Sequence, residues 1–208
     1  DKLKTFQKDK PEEHRKLLDD MRDVGGKVVT HVHGRSAIDP WDMTYVENET
    51  RKQLLKKYVF TRRGMPGHEK LQLKITAPQL GVRESRKIVG EYSLTEEDMK
   101  ANRQFPDGVG RCGAFMDSYE NYGVLGLSYD IPYRILVPKT VDGLLATGRC
   151  VSSTHGAMNT LRLVVPCILL GEAAGTAAAL AAKQNVQPRA VDISTLRTQM
   201  IKQGNNLG

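Results

Sequence analysis

One stretch limits what this chain can fold into more than any other. From Leu161 to Ala182 nearly every residue is apolar or small, with Arg162, Pro166 and Glu172 as the interruptions. Two charges and a proline argue against a membrane span, so none is expected. The stretch predicts a helix from about Pro166 to Lys183, about 27 Å long. Proline suits the first helical position because its missing N–H costs nothing there. Gly171, Ala174, Gly175 and Ala178 recur at helical spacing, so one face is nearly flat. A sheet could pack there, or a backbone or planar ring could approach closely. The N-terminus of such a helix offers unpaired amides and a partial positive charge, which favours anionic or electron-rich groups.

The residues before this helix predict what it packs on. Tyr133 to Val137 and Gly143 to Thr147 read as strands, with a turn from Pro138 to Asp142 between them. A buried strand ending at Gly148 leads into Cys150-Val-Ser-Ser-Thr-His-Gly-Ala157, a loop rich in small residues with many free amides. Residues 131–183 are therefore strand, turn and helix, almost without surface charge, whereas residues 1–130 are charged and mixed. That change sets the expected domain boundary, with 1–130 and 131–208 as its two sides, and the fold class is α/β.

Upstream, residues 11–24 and 46–60 read as amphipathic helices, the second with Leu54, Leu55, Tyr58 and Val59 inward. Lys27 to His33 and Leu71 to Ile75 alternate like strands. Ser93 to Asp98 is a helix start, in which Thr95 and Asp98 can form a reciprocal cap. Gly108 to Gly126 reads as a loop. A last helix runs from about Ser194 to Gln203, with Gly204 as its stop.

Composition excludes several classes. The chain has 208 residues, 39% hydrophobic and 26% charged, which rules out general disorder, collagen and a disulfide-rich mini-protein. The net charge of +7 is diluted by acids and concentrated nowhere, so no nucleic-acid partner is expected; it suits a site for anions such as a phosphorylated cofactor. Cys112, Cys150 and Cys167 lie at no metal-ligand or C-x-x-C spacing. His31 and His33, with Asp39 nearby, lack a definite third ligand, so no metal is expected. Trp41 beside Pro40 reads as a hydrophobic anchor. The polar start Asp1-Lys2-Leu3-Lys4 is no secretory leader, and a cytoplasmic location is the expectation. The chain starts without Met, which leaves a processed product, a partner subunit or a piece of a longer protein as alternatives.

Ile131-Pro-Tyr-Arg134, Leu144-Leu-Ala-Thr-Gly-Arg149 and Gly171-x-Ala-Ala-Gly-x-Ala-Ala-Ala179 resemble the C-terminal end of the FAD-dependent oxidoreductase family. That family belongs to the flavoprotein superfamily that includes glutathione reductase and fumarate reductase. Arg83-Glu-Ser-Arg-Lys-Ile-Val-Gly-Glu-Tyr-Ser-Leu-Thr-Glu-Glu-Asp98 is a second matching block. The resemblance implies the C-terminal part of a Rossmann-like FAD-binding domain, with residues 1–130 as part of a substrate or cap domain. Gly148 and Arg149 would lie near the ribityl chain and pyrophosphate, with Cys150 beside them. Ser152, Ser153 and Arg162 would line the flavin. The backbone of Val164, Val165, Pro166 and Cys167 would face the pyrimidine edge, where positive charge stabilises the reduced flavin. Fumarate-reductase-like relatives carry Glu after the strand's Gly; this chain has Arg149.

The superfamily opens with a βαβ unit bearing G-x-G-x-x-G, and no such unit starts this chain. Gly108-Val-Gly-Arg-Cys-Gly113 is a literal match, with Asp130 about 20 residues on, but Gln104-Phe-Pro-Asp107 before it is no strand. A plain glycine-rich loop is the expectation. The resemblance therefore implies a partner: an N-terminal FAD-binding half carrying G-x-G-x-x-G, in another chain or in further residues.

The implied chemistry is hydride transfer between a small organic substrate and flavin. His155 is the candidate proton donor or acceptor, against a loop histidine bonded to backbone. Tyr133 and Arg134 are the other catalytic candidates; Arg134 could clamp a substrate carboxylate or form a structural ion pair. Arg83, Glu84 and Arg86 read as a site wall or an interdomain ion pair. Family members often carry Asp-x-His where Met116-Asp-Ser-Tyr119 stands, so Ser118 removes that histidine. The rival functions are a non-catalytic assembly subunit that keeps the fold, and an anion-binding regulatory domain.

Overall fold

The computed structural model describes residues 5, 8–13, 15–16, 32–114, 126–205 and 207, in two compact units, Asp1–Val82 and Arg83–Gly208. Most of the expected helix 11–24, nearly all of the expected strand Lys27 to His33, and the Met116 to Tyr119 stretch lie outside the described residues.

The first unit is built on α1, Pro40–Gly64. It is longer than the 46–60 pattern because Asp39 caps it, accepting from the amides of Trp41 and Asp42 at 2.9 Å each, with Pro40 at the first position. The inward face expected at Leu54, Leu55, Tyr58 and Val59 does not form, since no residue of α1 is buried. Trp41, the expected anchor, is 82% exposed. Polar contacts tie the following segment to the helix instead. Arg51 donates to the Thr76 hydroxyl at 2.9 Å, and Tyr58 to the carbonyl of Leu71 at 3.3 Å. Leu71 to Ile75 runs without a ladder partner among the described residues, so it is not a strand.

The second unit contains α2 (Glu96–Lys100), β1 (Gly108–Ala114), β2 (Leu127–Pro132), α3 (His155–Leu161), α4 (Val164–Gln184) and α5 (Ile193–Lys202). Short 3-10 turns cover Tyr133–Ile135, Gly148–Cys150 and Pro188–Ala190. The composition change at residue 131 falls inside β2.

β1 and β2 form an antiparallel pair in which Arg111 faces Asp130 and Cys112 faces Tyr129. The glycine-rich segment at 108–113 is therefore a strand, where a loop was expected. Its alternating glycines serve packing: a β-carbon on Gly110 would meet Leu169 of α4 at 1.6 Å. Leu169 thus lies directly on the strand backbone. The segment is thus paired as one strand of an antiparallel hairpin rather than open as a loop, and the residues directly after Ala114 lie outside the described ones.

The two strands expected at Tyr133 to Val137 and Gly143 to Thr147 are absent. The first begins as a 3-10 turn, and the second is irregular. The backbone partners of this region lie elsewhere in the chain. Residues 88–94 thread between 134–139 and 150–154: Glu91 donates to Val137 at 2.9 Å, Ile88 to Cys150 at 2.9 Å, and Thr154 to Leu94 at 2.9 Å. Gly90 makes this threading possible, because a β-carbon there would lie 2.7 Å from the Ser152 Cβ and 3.2 Å from the Arg134 carbonyl.

The core gathers Leu94 and Met99 around α2, Tyr129 and Ile131 on β2, Met158 and Leu161 on α3, Leu170 on α4, and Leu196 and Met200 on α5. The reciprocal cap at Thr95 and Asp98 is present, with bonds of 3.0 and 3.1 Å. Asp192 caps α5; bonds from Ser194 and Thr195 hold its carboxyl down to about 2. The predicted α4 appears, two residues longer at its start than Pro166. It is long and apolar enough to cross a membrane by length and composition, and seven of its residues are buried in this unit.

Candidate functional site

Three local structures meet at the start of α4. The Gly148–Cys150 turn packs against α4, and α3 packs against both. Each follows from local sequence. Gly148 sits at φ 65°, the left-handed region that glycine enters without strain. Thr154 caps α3, accepting from the amide of Ala157. α3 ends at Arg162, whose amide bonds to Met158 and Thr160, and the chain turns at Leu163 into α4.

Leu163 gives α4 no side-chain cap, and Pro166 has no N–H. The next amide, Cys167, bonds to the Leu163 carbonyl at 3.0 Å. The side chains of Val164 and Ile168 are 74% and 64% exposed, and Val165 is exposed beside them. Along the same helix the expected flat face is real: β-carbons on Gly171 and Gly175 would meet nothing within 4 Å. Ala174 is buried, so it belongs to the packed side, while Ala178 is exposed.

The predicted site residues are brought together in part. Gly148, Arg149, Cys150, Ser152, Ser153, Arg162, Val164, Val165, Pro166 and Cys167 all belong to this cluster of turn, loop and helix start. Ser152, Ser153 and Pro166 are buried, and Arg149 and Cys150 are exposed. The Ser153 hydroxyl is buried without a hydrogen-bond partner among the described residues. Burial raises the Cys167 thiol above its ordinary value, and the charge of Arg149 opposes that rise. Cys112, in the core of the hairpin, is pushed up to about 11 by burial.

The candidate catalytic residues separate. Tyr133 is buried, its hydroxyl donates to the Pro188 carbonyl at 2.8 Å, and burial pushes it up to about 12. Arg134 grips Asp107 through two bonds of 2.9 and 3.1 Å, and its guanidinium stacks on the Tyr92 ring at 5.1 Å. These contacts engage both side chains within the fold. His155 differs: it is the first residue of α3 and its side chain is 80% exposed. Its Nδ1 contacts the carboxylate of Glu84, whose other oxygen accepts from Lys87 at 2.5 Å. Glu84 could not be paired with His155 from spacing, because 71 residues separate them.

Buried charge is otherwise well matched. Asp98 accepts from Tyr92 at 2.7 Å and pairs with Arg103 at 2.8 Å. Burial would raise its carboxyl, but these bonds, the Thr95 cap and Arg103 together hold it below its ordinary value. Of the three residues read as an unlikely metal set, His31 lies outside the described residues and Asp39 is committed to the cap of α1.

No curated protein and no solved structure matches the chain. A family model described as FAD dependent oxidoreductase matches residues 2–200, well beyond the blocks that carried the resemblance. That match takes in nearly the whole sequence, and the chain belongs to the FAD-dependent oxidoreductase family.

Proposed function

We propose that this chain is the part of an FAD-dependent oxidoreductase that closes one side of the flavin. Family membership implies FAD as the cofactor and a redox function. The proposal is more specific. Residues 131–208 would complete a Rossmann-like domain, and residues 1–130 would be part of the substrate or cap region. A separate half bearing G-x-G-x-x-G, in another chain or in further residues, would hold the ADP end.

One observation carries this reading. The uncapped first turn of α4 lies beside the Gly148–Cys150 turn, close in sequence to the buried and unpartnered Ser153 hydroxyl. Unsatisfied donors and acceptors around an open helix start fit the polar edge of an isoalloxazine. The ADP end finds no comparable fit, since the single G-x-G-x-x-G is strand β1. That mismatch supports the need for another half.

When bound, FAD supplies the acceptor for a hydride leaving a substrate carbon. The chain's own residues would do the rest. The amides of Val164 and Val165 and the Arg162 side chain would favour negative charge on the pyrimidine edge. Ser152 and Ser153 would line the ring, and Gly148 and Arg149 would hold the ribityl and phosphate side. Proton transfer would fall to His155 rather than to Tyr133 or Arg134, whose polar groups are engaged. The substrate is a small organic molecule bearing a hydroxyl or amine.

The exposed Val164, Val165 and Ile168 favour a second reading, an assembly subunit that uses this face to bind a protein without a cofactor. Co-expression with a dinucleotide-binding half separates the two. A yellow complex whose flavin occupancy drops in Arg162→Ala supports the oxidoreductase reading. A colourless complex, or unchanged occupancy and potential in that variant, overturns the placement of the flavin.

A further inference from the structure

The geometry points to Glu84 as a positioning residue that fixes the His155 ring in one tautomer, so that Nε2 faces outward as the proton acceptor of the reaction. This inference rests on the oxidoreductase reading above, and it adds a pairing of Glu84 with His155 that spacing along the chain does not supply.

The contacts define the arrangement. Glu84 is largely buried, with 18% of its side chain exposed, whereas that of His155 is 80% exposed. One carboxylate oxygen of Glu84 accepts from His155 Nδ1, and the other accepts from Lys87 at 2.5 Å. Lys87 is itself mostly buried, at 19%. Both oxygens are therefore held, and the carboxylate cannot swing away from the ring without leaving Lys87. A carboxylate acts as an acceptor only, so Nδ1 carries the proton and the lone pair lies on Nε2. Histidine tautomers are set in this way by the partner of the other nitrogen.

The surroundings also fix the ring's base. His155 opens α3 directly after the Thr154 cap, and the carboxyl of Glu96 on α2 lies against Gly156 and is bridged to Lys100 at 2.8 Å. Glu84, held by Lys87, touches the ring, and Glu96, held by Lys100, lies beside the next residue. Only Thr154 separates His155 from Ser152 and Ser153, in the loop assigned to the flavin. In the reaction, Nε2 would take the proton from the substrate's O–H or N–H. The ring becomes imidazolium, and the Glu84 carboxylate opposes its new charge.

Ring nitrogen NMR shifts of the full chain at alkaline pH read the tautomer without any cofactor. The expected result is a protonated Nδ1 and a bare Nε2 for His155, identified by the signal lost in His155→Gln. Glu84→Ala should return the ring to a tautomer mixture, and Glu84→Gln, which keeps an acceptor oxygen, should retain part of the native preference. An Nε2–H tautomer in the unmutated chain overturns the inference, and needs no variant to fold. On the flavin-loaded complex, Glu84→Ala should lower kcat about 10–100-fold with KM nearly unchanged, partly restored by Glu84→Gln. An unchanged kcat also overturns it. A colourless complex with the expected tautomer instead counts against the flavin reading alone.

Discussion

Alanine at both Gly171 and Gly175 should stabilise the chain on its own and weaken it as a flavoprotein. Neither new β-carbon has a described atom within 4 Å, so the substitutions carry no steric cost in the unit. What remains is the backbone term: glycine inside a helix costs about 0.5–1 kcal/mol relative to alanine, so the pair should add about 1–2 kcal/mol. For a domain of this size that raises the melting temperature by roughly 3–8 °C. Thermal unfolding followed by circular dichroism reads it directly. A lower melting temperature would refute the reasoning, because it would mean that this face already lies against protein. In the assembled flavoprotein the sign should reverse. If a ring or a partner backbone lies on the flat face, two methyl groups will push it away and flavin occupancy will fall. An assembly that tolerates both alanines without loss would show that the flatness of α4 serves neither purpose.

Gly90→Ala should act in the opposite direction. Its β-carbon would stand 2.7 Å from the Ser152 Cβ and 3.0 Å from the Tyr92 carbonyl, atoms that cannot rotate away. Overpacking and one or two strained backbone bonds predict a loss of about 2–4 kcal/mol in urea unfolding. Arg134→Ala should cost about 1–3 kcal/mol by leaving the buried Asp107 carboxylate short of donors; if unfolding is unchanged while turnover collapses, Arg134 touches substrate after all. Asp98 supplies a pH test. Its folded carboxyl lies below the ordinary value near 3.9, so its stabilisation is complete above that value and is lost as the pH falls through the folded one. Urea midpoints measured from pH 6 down to 3 should fall less steeply in Asp98→Asn than in the parent chain. Equal slopes would remove Asp98 from the acid response.

Short-range features were legible in the sequence because their causes are short-range. The long helix, the Thr95–Asp98 cap and the stop of α5 before Gly204 follow from residues within a few positions of one another. The flat face of α4 could be read from Gly171, Gly175 and Ala178 alone, although Ala174 turned out to lie on its packed side. The family could be read from blocks in the second unit, and its model extends over residues 2–200.

Pairing across long separations was decided by tertiary structure. Residues 133–147 carry strand-like side chains, yet residues 88–94 supply backbone partners around them and leave no regular ladder. The glycines at 108–113 read as a plain loop in sequence, yet they form a strand paired with β2, and Gly110 leaves room for Leu169. α1 looks amphipathic, but its neighbours are bound by hydrogen bonds rather than burial. His155 could be proposed from its type and its loop, and Glu84 as part of a site wall or ion pair, while their pairing appeared only when folding brought them together across 71 residues. Sequence fixes propensity and pattern residue by residue; which donor meets which acceptor depends on the closure of long loops, and that is a property of the whole fold.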